Sequence, residues 1–260
     1  MNIQTFGGGK RCQAAAQLLS NDTFRSIAEA NGISDIKILP IPSTKDGVRV
    51  TGTEIPLSSV TEELTKSSYL VAYGIPKELK ELLDERKIRY YDGACDEDFL
   101  VENAYLTAVG ALSYIFDSFD KIPRDMKFGI IGFGRIGSAL ARILLFLGAR
   151  LRIFTSKSLT RIELGEVGID NSEIEVFGID FSLPSDVDVL INTAPCDLSK
   201  FFPNKKTPIG VRVLNLASGN CFPGILGIEE LPSLPGRMFP ESAGKSYAEF
   251  AIRKLDGENT

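Results

Sequence analysis

The sequence has no histidine and no tryptophan among its 260 residues. Without imidazole, the commonest metal ligand and the usual general acid/base near neutral pH are missing, and triads built on histidine are excluded. Cysteine is scarce. Cys12, Cys95, Cys196 and Cys221 lie far apart with no CxxC pair, so neither a zinc site nor a redox couple has support, and no metal is expected. Such spacing reads as free thiols in a reducing compartment, here the cytoplasm. No uninterrupted apolar run nears the roughly 18 residues that span a bilayer, and the N-terminus carries no apolar signal region, so no membrane is expected. Positive charge is in the minority, 29 Lys and Arg against 34 Asp and Glu, which argues against a nucleic-acid-binding surface. No short repeat or low-complexity segment is present. What remains is 43% hydrophobic and 24% charged, the composition of a globular chain long enough for one large or two small domains.

Short apolar runs alternate with helical periodicity. Strands are expected at 3–6, 36–39, 69–73 and 88–91, with helices after the first glycine cluster and from Pro76 to about Arg86. This alternation predicts a parallel sheet with helices on its faces. A long helix is expected over 103–119, where Tyr105, Val109, Leu112, Ile115, Phe116 and Phe119 recur at three and four. The pattern then restarts, with strands at 128–131, 151–155, 174–177, 187–191 and 211–216, a helix at 135–147 and a last helix from about Ser242 to Leu255. The fold class is therefore α/β: two Rossmann-like, doubly wound parallel-sheet domains joined by a long helix, with the C-terminal helix packing back on the first. The expected boundaries are a flavodoxin-like substrate domain at 1–102 with 242–260, a linker helix at 103–122 and a dinucleotide-binding Rossmann domain at 123–241.

The strongest motif is Gly132-Phe133-Gly134-Arg135-Ile136-Gly137, which follows a buried strand and opens a helix. In that setting Gly132 permits the tight turn, Gly134 lets backbone approach a pyrophosphate and Gly137 lets helix and strand pack closely. The anion then sits at a helix N-terminus, near Arg135 and Ile136, where free N–H groups and the dipole favour it. The next strand ends in Thr155-Ser156-Lys157, with Arg161 beyond and no acid for ribose hydroxyls. Hydroxyls and cations suit a 2′-phosphate, so NADP is favoured, with NAD the alternative. Asn192, Thr193, Ala194 and Pro195 follow one strand, and Ala217 and Ser218 follow another. Both loops lie at carboxyl ends, where open α/β sheets bind ligands.

In the first half, Gly8, Lys10 and Arg11 lie where a strand enters a helix. Helix N-termini prefer acids, so the two cations there are better explained if an anion, such as a substrate carboxylate, is present. Ser43, Thr44 and Lys45 follow the second strand and join the candidate substrate site. Ser242-Ala243-Gly244-Lys245 is expected to open the last helix as another anion site.

The pattern as a whole resembles the dipicolinate synthase A-subunit family, the larger of that enzyme's two chains. The resemblance rests on Gly7-Gly8, on Ile38-Leu39-Pro40 with its Thr/Gly loop, on Tyr73-Gly74-Ile75, on the segment 103–110 and on 132–137. It continues through Ile191-Asn192-Thr193-Ala194-Pro195, Leu216-Ala217-Ser218, and Leu234-Pro235-Gly236 followed by Pro240, Ala243 and Gly244. The combination of the later segments is more specific than the glycine turn. A broader similarity is to two-domain D-2-hydroxyacid dehydrogenases.

The resemblance implies NADP-linked formation of pyridine-2,6-dicarboxylate from a dihydrodipicolinate-level precursor during sporulation. It also implies a partner, the small flavoprotein-like second chain of dipicolinate synthase. A homodimer is the expectation by analogy. A dicarboxylate needs two anion sites, with Lys10 and Arg11 at one end and Ser218 or Lys245 at the other, and Glu241 or Asp92 as proton acceptor. Ser218, Lys245 and Glu241 are the candidate catalytic residues. The chain departs from the family at Leu106-Thr107-Ala108-Val109-Gly110, where a Pro-Thr-x-Glu-Gly run is usual. It departs again at 219–224, where an Arg and a Pro-Gly-Gly run are usual. These departures keep two alternatives open: a dehydrogenase of another small carboxylic acid, and a non-catalytic dinucleotide-binding regulatory subunit.

Overall fold

The computed structural model describes residues 1–155, 174–177 and 186–257, with 174–177 described through its backbone alone. The chain divides into two compact units, Met1–Asn103 with Pro235–Thr260, and Ala104–Leu234.

In the first unit, β1 (Asn2–Thr5), β2 (Asp35–Ile38), β3 (Ser68–Ala72) and β4 (Arg89–Asp92) form a parallel sheet in the order 1-2-3-4. Alternate side chains explain its two covers. Ile36, Ile38, Tyr69, Val71 and Tyr91 pack with Cys12, Ala15 and Leu19 of α1 (Gly9–Leu19) and with Phe24 and Ala28 of α2 (Asp22–Ala30). Leu39, Leu70 and Ala72 face the other way, onto Leu57 and Val60 of α3 (Leu57–Glu62) and Leu79 and Leu83 of α4 (Lys77–Glu85). Burial on both faces is why β3 reads as an unbroken apolar run. The short helices α2 and α3 are not expected from the sequence. Asn21 starts α2 by accepting the Phe24 N–H at 2.8 Å.

The strand order corrects the flavodoxin-like expectation, which is 2-1-3-4-5 with the first strand inside the sheet. Here β1 is an edge. The steps β1 to β2 and β2 to β3 run the same way across the sheet, yet α1 and α2 cover one face and α3 the other. The two connections therefore have opposite hands, against the right-handed rule.

Helix α5 (Glu97–Asp117) begins six residues before the expected 103, because Asp96 caps it by accepting the Phe99 N–H at 3.1 Å. By length and composition α5 could cross a membrane, but half of its most apolar window is buried within the protein. Ala108, Leu112 and Ile115 of α5 pack in the core of the second unit with Phe128 and Ile130.

That second sheet contains β5 (Lys127–Ile131), β6 (Arg150–Phe154), β7 (Ile174–Phe177), β8 (Val189–Asn192), β9 (Arg212–Asn215) and β10 (Ile228–Glu230), with α6 (Arg135–Phe146) after β5. All described pairings are parallel, in the order β10-β9-β8-β5-β6-β7. Counted from β5, this is the doubly wound order 3-2-1-4-5-6, whose direction reverses between β5 and β8.

The chain returns to the first unit at Pro235, earlier than the expected 242, through α7 (Leu234–Met238) and α8 (Pro240–Gly257). Helix α8 packs on α1 at Gly244, where any Cβ would strike the Arg11 carbonyl and sit 2.6 Å from the Ala14 Cβ. Two phenols fix its register: Tyr69 donates to the Ala251 carbonyl at 2.7 Å, and Tyr247 to the Leu39 carbonyl at 3.3 Å.

Candidate functional site

The three glycines at the end of β5 have separable physical reasons. Gly132 has φ +91°, and a Cβ there would lie 2.8 Å from the Thr193 hydroxyl and 3.1 Å from the Ala194 Cβ. Gly137 is pressed against the turn, so a Cβ there would land on the carbonyl oxygen of Gly132. Gly134 is different. It is exposed, has an ordinary negative φ of −92° and has nothing within 4 Å of where its Cβ would be. It stands as the N-cap of α6 with no side chain capping the helix, and the first turn holds no acid. Steric need accounts for Gly132 and Gly137. At Gly134 the open space and uncapped helix end fit a diphosphate held by backbone amides. Arg135 is exposed and Ile136 half-buried on that first turn.

Thr193 faces this turn as a strut. Its hydroxyl donates to the carbonyls of Ile131 and Gly132, at 3.0 and 3.2 Å. Ala194 and Pro195 continue the loop, half-buried and exposed respectively. Asn192 is expected to face the cofactor, but it is fully buried, and its amide is engaged by Ala194 and by Asn215. It shapes the loop. Ala217 is half-buried and Ser218 exposed on the loop after β9. Thr155 is buried at the end of β6, while Ser156, Lys157 and Arg161 lie outside the described residues. Burial pushes the Cys221 thiol up, toward its neutral form, whereas Cys196 is exposed.

In the first unit, Gly8 caps α1 with φ +74°, and a Cβ there would collide with the Cys12 sulfur. Lys10 is exposed, but Arg11 is only 7% exposed. Its Nη2 donates to Asn103 Oδ1 at 3.0 Å, and its guanidinium lies about 6 Å from the rings of Phe99 and Tyr247. Its Nε is buried without a hydrogen-bond partner among the described residues. Burial lowers its pKa, and burial also pushes the neighbouring Cys12 thiol up to about 11.

Ser43 proves structural. It is buried, accepts the Tyr73 N–H at 2.8 Å and donates to the Pro40 carbonyl at 3.2 Å. Thr44 is tied into a turn with Asp46 and Gly47, and Lys45 is exposed. Helix α8 starts at Pro240, two residues before the expected Ser242, and the Ala243 N–H already donates to the Phe239 carbonyl. The segment 242–245 is therefore not a free helix N-terminus. Lys245 pairs with Glu249 at 3.6 Å, and Glu241 is exposed in the first turn. Asp92 is also engaged. It meets Lys80 at 2.7 Å and accepts the N–H groups of Gly74, Ala94 and Ile75. Burial raises its pKa, but those donors outweigh it, and the carboxyl is held below its ordinary value.

No family model matches the chain. The dipicolinate synthase A-subunit of Bacillus subtilis (strain 168) is 29% identical over 170 residues, which is 61% of this chain and 55% of that protein. The match thus spans little more than half of the curated relative. The crystal structure of the dipicolinate synthase A-subunit from Bacillus halodurans shares the fold with a TM-score of 0.72 at 21% identity, covering 98% of this chain and 97% of that one. D-2-hydroxyisocaproate dehydrogenase shares it more distantly, with a TM-score of 0.55 at 12% identity over 100% of this chain and 97% of that one. In sequence over part of its length, and in fold over nearly all of it, the chain resembles the dipicolinate synthase A-subunit family.

Proposed function

We propose that the chain is an oxidoreductase subunit that binds a nicotinamide dinucleotide, NADP in preference to NAD, at the turn from Gly132 to Gly137. Its reaction is the oxidation of a dihydrodipicolinate-level precursor to pyridine-2,6-dicarboxylate. The observation that carries this reading is the open, uncapped helix end at Gly134, beside two glycines that steric need already explains. Its place at the reversal point of a doubly wound sheet adds support. The preference for NADP rests on the absence of an acid after β6.

The oxidation removes one hydride and one proton from the ring. The nicotinamide, when bound, supplies the hydride acceptor. The chain's own part is to bind and orient, which can supply a large share of the rate. Amides of the α6 first turn would hold the diphosphate, and Thr193 keeps the loop after β8 against that turn. Arg11 is the candidate for a substrate carboxylate, its burial making a charge-assisted bond stronger. Within the second unit, Ser218, exposed after β9, is the candidate polar contact on the nucleotide's side. Aromaticity of the product lowers the demand for a strong protein base, which suits a chain without histidine.

Family resemblance supplies the partner, a flavoprotein-like second chain, and the expected homodimer. The test is to combine the protein, NADP⁺, the partner chain and the condensation product of aspartate semialdehyde and pyruvate. Pyridine dicarboxylate absorbance and NADPH should rise together. Dinucleotide binding without turnover, with or without the partner chain, would favour the non-catalytic reading. That reading draws on the missing glutamate at 109, where Val109 stands.

A further inference from the structure

We infer that Asn192 and Asn215 are positioning residues of the dinucleotide site, acting through the direction of the hydrogen bonds that join its two loops. The inference rests on the reading of that site proposed above. Parallel register sets Asn192 opposite Asn215 and Asn215 opposite Glu230, at the carboxyl ends of β8, β9 and β10. Both asparagines are almost wholly buried, at 0% and 1% exposure.

The chain of bonds has one polarity. The Ala194 N–H, in the first loop, donates to Asn192 Oδ1 at 3.0 Å. That leaves Asn192 Nδ2 to donate to Asn215 Oδ1 at 2.8 Å and to the Ala194 carbonyl at 3.1 Å. Asn215 Oδ1 also accepts the Ala217 N–H, in the second loop, at 3.2 Å. Asn215 Nδ2 then donates to Glu230 Oε2 at 2.8 Å. Backbone N–H groups can only donate and an ionised carboxylate can only accept, so both ends of the row fix the orientation of the amides between them. A reversal of either amide would set donor against donor in a buried place. The row therefore ties the loop at 193–195, which touches the glycine turn, to the loop at 217–218.

This polarity predicts opposite outcomes for two substitutions of the same shape and charge. In Asn215→Asp, the oxygen facing Asn192 and Ala217 still accepts, and only the new oxygen, against Glu230, is repelled. Adding Glu230→Gln turns that contact into a donated bond. In Asn192→Asp, the new oxygen faces Asn215 Oδ1 and the Ala194 carbonyl; even with Glu230→Gln to let Asn215 turn over, its Nδ2 would then meet the Ala217 N–H and the Ala194 carbonyl would stay repelled. N215D and N192D are each expected to weaken NADPH binding about tenfold, with E230Q returning the first to within about threefold and leaving the second at least about fivefold weakened. The two double variants have the same net charge and composition, so a role through bulk or charge alone would move them alike.

NADPH fluorescence titration gives the affinities. Hydrogen exchange at the Ala194 and Ala217 amides, without nucleotide, gives the order of the loops. Exchange should quicken in N192D with or without E230Q, and return toward the unaltered protein's rate in N215D/E230Q. Equal recovery of both pairs, or of neither, overturns the inference. Should N192D not fold, recovery of N215D by E230Q decides alone. If the unaltered protein binds no NADPH, the proposed function fails and the positioning role with it, while the exchange rates still decide whether the row orders the two loops.

Discussion

Gly134→Asp is expected to weaken NADPH binding about 100-fold or more while leaving the thermal unfolding midpoint unchanged or slightly raised. The backbone at 134 is open to any residue, and no atom lies within 4 Å of a new Cβ. An aspartate there is a good N-cap, worth a few tenths of a kcal/mol over glycine. The same carboxylate would occupy the diphosphate's place and repel its charge. Gly137→Ala should do the reverse. Its Cβ would run into the Gly132 carbonyl, so the turn must shift, at about 1–3 kcal/mol of stability. Calorimetry with nucleotide titration separates the two. If G134D bound NADPH as well as the unaltered protein, the diphosphate would not lie at this turn.

The other large effect is expected at Arg11. Arg11→Met puts an apolar side chain of similar length in this enclosed place and removes a buried guanidinium that lies near the rings of Phe99 and Tyr247 and donates to Asn103, a neutral acceptor. Replacing a buried charge by an apolar side chain of similar length often leaves stability within about 1 kcal/mol or improves it. If Arg11 holds a substrate carboxylate, affinity for pyridine-2,6-dicarboxylate should fall by about 2–3 kcal/mol in the same variant. Calorimetric titration with that dicarboxylate, beside a melting curve, gives both. A large loss of stability with unaltered dicarboxylate affinity would make Arg11 a structural residue.

Much of the architecture is legible because it depends on patterns that local sequence carries. The strand at 174–177 can be read to the residue, and the turn at 132–137 announces itself by its setting between strand and helix. Short elements escape such a reading. Strand β10 has three residues, two of them glutamates, and so offers no alternation of apolar side chains, whereas α2 carries Phe24, Ile27 and Ala28 at helical spacing behind the Asn21 cap and is visible in principle. The early starts of α5 and α8 are visible in principle, since Asp96 is a capping residue and Pro240 suits a first turn. The order of the first sheet is not visible, because apolar periodicity marks each strand without saying which strands lie side by side.

The candidate site divides in the same way. Gly132 and Gly137 are demanded by contacts made after the fold closes, yet their spacing gives them away. Asn192 and Ser43 look like ligand-facing loop residues and are buried supports, a distinction that rests on which way a strand-end side chain points. Arg11 looks like a helix-end cation and is enclosed by Phe99 and Tyr247, 88 and 236 positions along the chain from it, which no local reading could supply.

Hydrogen exchange of residues 132–138, followed as NADPH is added, bears most directly on the central claim. Exchange at the amides of Arg135, Ile136 and Gly137 should slow in a saturable way, because these groups would close on the diphosphate. Saturable binding with protection confined to other segments, or no binding at all, would contradict it.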